Sequence, residues 1–142
     1  MAEAGPIDQP ASYRHWTEDR VRFADLDPLG HCNNAAISGF FESSRVGLLE
    51  DVGLGMAATG FITPMARAAI TFRSELFYGT QVRIGVRVAK IGRTSLTLEA
   101  AIFTDKGSCA ADGDFVLVLM DAATRATTPI PDEARARLAD YR

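Results

Sequence analysis

The sequence predicts an α+β domain in which one long helix is buried against a single, largely antiparallel sheet of five strands. Three observations predict it. Residues 33–52 carry apolar side chains at helical spacing. Residues 17–24 and four segments after residue 66 show period-two alternation or a short apolar run. The breaks between the later segments are short and rich in Gly, Asp and Lys, which suits hairpins. A helix and a sheet in one small chain must bury their apolar faces on each other.

The chain has 142 residues, enough for one domain with a real core. Its hydrophobic share of 47% and charged share of 23% are those of an ordinary globular protein, so no compositional bias overrides the pattern. The net charge of -3 argues against a nucleic-acid binder. Two cysteines, Cys32 and Cys109, do not make a disulfide framework; reduced thiols and a cytoplasmic location are the expectation. The N-terminal residues lack the apolar run of a signal peptide, and the longest apolar stretch, residues 115–120, is too short to span a bilayer. No membrane partner is expected.

Taken in order, residues 1–16 read as a mobile N-terminal tail and residues 17–142 as the domain. Residues 17–24 form the first strand, with Val21 and Phe23 alternating with Arg20 and Arg22. Pro28 and Gly30 mark a turn after it. The helix over residues 33–52 has Asn33 as its N-cap, Gly53 as its stop, and Ile37, Phe40, Phe41, Ser44 and Leu48 on one face. Gly39 and Gly47 lower its intrinsic propensity, so tertiary packing must hold it. Ala68, Ile70 and Phe72 alternate in the next strand, and Val82, Ile84, Val86 and Val88 make the cleanest period-two run. A turn at residues 91–93 leads to Leu96, Leu98, Ala100 and Ile102, and a hairpin at residues 105–107 follows. Residues 115–120 form the last strand, prolines 129 and 131 break it, and residues 132–141 suit a short polar helix.

The chemistry concentrates between the first strand and the helix, in Asp25-Leu26-Asp27-Pro28-Leu29-Gly30-His31-Cys32-Asn33-Asn34. Two carboxylates, an imidazole and two amides stand there beside a helix N-terminus. The free N–H groups of that terminus suit an oxyanion. A carboxylate and an oxyanion hole are the minimum needed to open a thioester with water.

This stretch, with Phe40-Phe41-Glu42-Ser43-Ser44-Arg45, Lys90-Ile91-Gly92-Arg93-Thr94-Ser95 and Thr128-Pro129-Ile130-Pro131-Asp132-Glu133, resembles the acyl-CoA thioesterases of the 4-hydroxybenzoyl-CoA thioesterase group in the hot-dog superfamily. The resemblance runs from about Thr17 to the C-terminus. It implies a sheet wrapped round a central helix, and hydrolysis of a small or medium acyl-CoA to free acid and CoA. Asp27 would be the catalytic carboxylate, as nucleophile or as general base. The backbone N–H of Asn34 would polarise the thioester carbonyl, and His31 would assist. Arg93, with Thr94 and Ser95, would hold the CoA nucleotide. The implied assembly is a homodimer or homotetramer with the active site between subunits. No cofactor is implied beyond the coenzyme A of the substrate. Two departures bear on the acyl group: Ile37 stands where many relatives carry an aromatic residue, and Ser44 where an alanine is frequent.

Each residue also has a plainer reading. Asp27 precedes a proline and could simply make a turn; Asp25 is the second carboxylate, more in keeping with a turn-stabilising or solvent-facing role. His31 could buttress the loop, and Asn33 caps the helix. Glu42 could pair with Arg45. Cys32 lies near the helix start, where a thiol can acidify, but no Cys–His pair is evident. Arg83, Arg87 and Arg93 could be a solvated face. No histidine cluster for a metal is present, and no metal site is expected. Alternatives to the acyl-CoA thioesterase are a thioesterase acting on acyl-carrier protein, a non-catalytic acyl-CoA-binding module and, more distantly, a dehydratase of the same fold.

Overall fold

A computed structural model describes residues 4–55 and 60–142. The elements are β1 (His15–Arg20), α1 (Asn34–Asp51), β2 (Phe61–Ile62), β3 (Met65–Phe72), β4 (Gln81–Ile91), β5 (Ser95–Thr104), β6 (Cys109–Val118), β7 (Met120–Asp121) and α2 (Asp132–Ala139). Five strands form one sheet in the order β1-β4-β5-β6-β3, antiparallel at every pairing. β2 and β7 pair separately. This is the α+β architecture that the sequence pattern predicts and the hot-dog arrangement that the resemblance implies.

α1 lies on one face of the sheet because its apolar side chains are gathered there. Phe41 and Leu48 are fully buried, with Ile37, Phe40 and Leu49 beside them. They meet Ile84, Leu98, Ile102 and Phe115 from the sheet, and the Phe41 and Phe115 rings lie 5.2 Å apart. The Asn33 side chain accepts a hydrogen bond from the Ala36 N–H at 2.7 Å, as a helix N-cap should. At the other end Gly53 takes φ +83°, a value that releases the chain from the helix. Gly47 lets β1 come close: a Cβ there would lie 3.3 Å from the His15 ring. α2 seals the core with Ala134 and Leu138.

Several boundaries differ from expectation. β1 begins at His15, not Thr17, and ends at Arg20; residues 23–25 form a 3-10 turn instead of continuing the strand. The packed structure therefore starts inside the segment read as tail. Tyr13 is buried against Phe103 and Trp16 on the outer face of the sheet, and its hydroxyl donates to the Ile7 carbonyl at 2.6 Å. Aromatic burial holds this part of the chain against the sheet. The same covering explains why β4 is buried on both faces around Gly85, where a Cβ would lie 2.5 Å from the Tyr13 ring.

β6 begins at Cys109, six residues before the expected start. Its first half, Ala110, Ala111, Asp112 and Gly113, has no apolar alternation to read, yet pairing on both sides extends the ladder through it. β3 is an edge strand, and Met65 and Phe72 stay 46% exposed on it.

Candidate active site

The loop after β1 is built around Asp27. Its N–H donates to the His31 carbonyl at 3.0 Å, and its own carbonyl accepts from the Gly30 N–H at 3.0 Å. Carboxylate Oδ1 accepts from the Leu29 N–H at 2.8 Å, a side-chain-to-backbone turn that aspartate favours. Gly30 closes the loop at φ +87°. One carboxylate oxygen is thus spent on holding the loop, while Oδ2 faces Nδ1 of His31 at 3.5 Å. Both side chains are about three-quarters buried.

The other nitrogen of His31, Nε2, lies 3.6 Å from Oε1 of Glu75, in the turn after β3. Sequence reading does not single out Glu75, which is remote in the chain and in no motif. His31, Cys32, Asn34, Ile37, Phe72 and Glu75 line a groove of 210 Å³ together with Arg73, Ser74 and Leu76. A larger apolar cavity of 330 Å³ lies at the other end of α1, among Val46, Leu49, Leu54, Phe61 and Ile62. Among the described residues its lining carries no carboxylate or imidazole, so the smaller groove is the better place for chemistry.

α1 begins at this groove. The Ala36 N–H is taken by the Asn33 side chain and the Ile37 N–H by the Asn33 carbonyl. The N–H groups of Asn34 and Ala35 find no acceptor among the described residues. These donors, with the positive end of the helix dipole, make a receptive spot for a developing oxyanion.

The neighbouring polar residues take structural roles. Asp25 is buried and does not face solvent: it pairs with Arg22 at 2.9 Å, accepts from the Arg22 N–H at 2.8 Å, and its carbonyl accepts from the Asn33 N–H at 2.9 Å. The hydrogen bonds from Arg22 hold its carboxyl below the ordinary range. Cys32 is buried, and burial with the nearby Asp25 and Asp27 charges pushes its thiol up to about 11, which disfavours a thiolate nucleophile. Arg45 is not paired with Glu42; it is buried with its guanidinium carbon 4.3 Å from the centre of the Phe115 ring.

The Arg93-Thr94-Ser95 turn lies elsewhere. β4 starts at Gln81, opposite Arg20 and thus near the Asp27 loop, and runs to Ile91, just before the turn. Eleven strand residues span about 35 Å. Within one chain, therefore, the expected CoA-binding turn and the Asp27 loop stand at opposite ends of the sheet. The turn is pinned by its carbonyls: Thr94 accepts from the Leu119 N–H at 2.8 Å and Arg93 from the Ile130 N–H at 2.9 Å, leaving the Arg93 side chain exposed.

Comparison with known proteins agrees with this architecture. The model of the thioesterase-like superfamily matches residues 21–138. The solved structure of the PA5185 protein from Pseudomonas aeruginosa is 27% identical, with 92% of each chain covered and a TM-score of 0.85. A thioesterase from Thermus thermophilus, solved with coenzyme A and zinc, is 31% identical, with 89% of this chain and 98% of that one covered and a TM-score of 0.79. An uncharacterised Bacillus subtilis protein, YsmA, is 26% identical over 97 residues, 65% of this chain and 66% of its own length. With the fold, the strand–loop–helix motif and the family model in agreement, the chain belongs to the thioesterase-like superfamily, a family of thioester hydrolases.

Proposed function

We propose that the protein hydrolyses an acyl-CoA thioester to a free acid and CoA, with Asp27 as the reacting carboxylate. The observation that carries this reading is the half-tethered Asp27 carboxylate, whose Oδ2 faces His31, and His31 in turn lines the groove at the start of α1, where the N–H groups of Asn34 and Ala35 find no acceptor among the described residues. As general base, Asp27 takes a proton from water while the hydroxide adds to the thioester carbonyl. As nucleophile, it adds directly and forms a mixed anhydride that water then opens. In either route the Asn34 backbone N–H receives the carbonyl oxygen as it gains charge. The tetrahedral intermediate collapses, the C–S bond breaks, and the thiolate takes up a proton. The reaction uses no cofactor other than the coenzyme A carried by the substrate.

The functional unit in this reading is a dimer in the cytoplasm. β3 presents an open strand edge, and its exposed Met65 and Phe72 pair with the buried Leu117 and Ala111, so they face the side that carries α1. A second copy joined at β3 covers that strip and allows the partner's Arg93 turn to reach a substrate lying at Asp27.

The test is a panel of aromatic, short and medium aliphatic acyl-CoAs with a thiol reagent as readout. Asp27→Asn is expected to lower kcat by at least about 100-fold while leaving the far-ultraviolet circular dichroism unchanged. Full turnover in that folded variant overturns the assignment. Cleavage of acyl-carrier-protein thioesters with inert CoA esters moves the substrate class; tight acyl-CoA binding without hydrolysis removes the enzyme.

A further inference from the structure

We infer that the acyl group of the substrate is held by the second protomer: the thioester lies in the groove of one chain, and its tail enters the 330 Å³ apolar cavity of the partner, which selects uncharged acyl groups of medium length. This rests on Asp27 being the reacting carboxylate and on two copies joining at β3. The two concave features of a chain differ in chemistry. The groove carries His31, Asn34, Arg73 and Glu75, which suit a thioester and a water but not an alkyl chain. The cavity is walled by Val46, Leu49, Leu54, Phe61 and Ile62, with no charged side chain among the described residues. It favours an apolar chain and rejects a carboxylate, which would be buried there without a partner.

Within one chain the two do not meet. Ile37 at the groove and Leu49 at the cavity both stand on α1, about 18 Å apart along its axis. Between them α1 is packed on the sheet through the fully buried Phe41 and Leu48. β3 runs between the same two places. Phe72, its last residue, lines the groove, and Met65, its first, stands just after Thr63, which lines the cavity. Two copies joined at this open edge, with α1 on the same side of both, pair their β3 strands antiparallel about a two-fold axis. The Met65 end of one then lies beside the Phe72 end of the other. Each groove is thereby set next to the partner's cavity. The exposed Met65 and Phe72, both on the side that carries α1, make the apolar rim that the acyl chain crosses.

The test combines chain-length selectivity with mixed dimers. The wild-type enzyme is expected to show a kcat/KM for octanoyl-CoA at least about 10-fold above those for acetyl-CoA and succinyl-CoA. Val46→Phe, at a half-buried position of the cavity wall, is expected to lower the octanoyl-to-acetyl ratio at least about 10-fold. Ile62→Phe, on β2, repeats the obstruction should the first variant fail to fold. Co-expression of two differently tagged chains isolates mixed dimers. With Asp27→Asn in one chain and Val46→Phe in the other, one site keeps both its carboxylate and an open partner cavity, so octanoyl-CoA hydrolysis returns although each variant alone lacks it. With both substitutions in one chain and a wild-type partner, neither site is whole, and octanoyl-CoA hydrolysis is lost.

A wild-type preference for acetyl-CoA or succinyl-CoA, an unchanged ratio in the folded cavity variants, or the opposite pattern in the two mixed dimers overturns the proposal. An inactive Asp27→Asn homodimer alongside any of these removes only the partner's cavity as the acyl site. Octanoyl-CoA hydrolysis surviving in the Asp27→Asn homodimer removes the underlying reading of Asp27.

Discussion

Gly30 stands between Leu29, whose N–H ties down Asp27, and His31, whose ring faces it. Its φ of +87° lies where a side chain is disfavoured, although a Cβ would meet nothing within 4 Å. The cost of replacing it is therefore confined to the backbone. Gly30→Ala is expected to lower stability by about 1 kcal/mol in urea denaturation and to reduce kcat by displacing Asp27 and His31. The N-cap gives a second test at this scale. Asn33→Ala removes the acceptor of the Ala36 N–H and should cost about 1 kcal/mol, while freeing that N–H at the mouth of the groove. The motif made Asp27, His31 and the helix start legible as neighbours because they are close in sequence. Glu75 was not legible, since it reaches His31 only through the fold. The high thiol pKa of Cys32 was equally invisible, because it arises from burial and from the charges of Asp25 and Asp27.

At the scale of elements, α1 depends on packing more than on propensity. Phe41 is fully buried, and its ring lies 5.2 Å from Phe115. Phe41→Ala is expected to cost about 3–5 kcal/mol, measured as a fall in the urea midpoint. The far end of α1 is tied to β1 by Nε2 of His15, 3.2 Å from Asp51 Oδ2. Burial lowers the pKa of His15 below its ordinary value, and Asp51 offsets part of that shift. Between the lowered folded pKa and about 6.5 the unfolded chain binds more protons, so stability rises with pH through that window and its full value holds above it. Unfolding at pH 7.5 and at pH 5.5 should show a loss on acidification that is smaller in a folded His15→Gln variant. The helix over residues 33–52 is legible in the sequence because its apolar side chains recur with a 3.6-residue period. The first half of β6 is not legible there, because Ala110 to Gly113 pair as a strand only when β3 and β5 flank them.

For the whole molecule, the open edge at β3 and the distance between the Asp27 loop and the Arg93 turn point the same way. If two copies join at β3 to complete the site, Met65→Arg combined with Phe72→Arg should give monomers by analytical ultracentrifugation, with hydrolysis lost although Asp27 is untouched. A monomeric variant with full activity would show that one chain suffices. The outer face of the sheet is closed differently: Tyr13 lies over Gly85, and Arg87 pairs with Glu99 at 2.7 Å while donating to the Gly5 carbonyl at 2.5 Å. This chain's own N-terminal residues therefore occupy part of that face.

The sequence by itself determined the fold class, the central helix with its cap, and the loop that carries Asp27. Hydrophobic period, turn chemistry and a short motif are local properties that survive without coordinates. Only the tertiary structure decided which carboxylate meets each nitrogen of His31, that Cys32 is buried, that the N-terminal residues pack, and that the Arg93 turn lies at the opposite end of the sheet. Each of these depends on residues far apart in the chain, whose separation is set by strand pairing and burial rather than by spacing along the sequence.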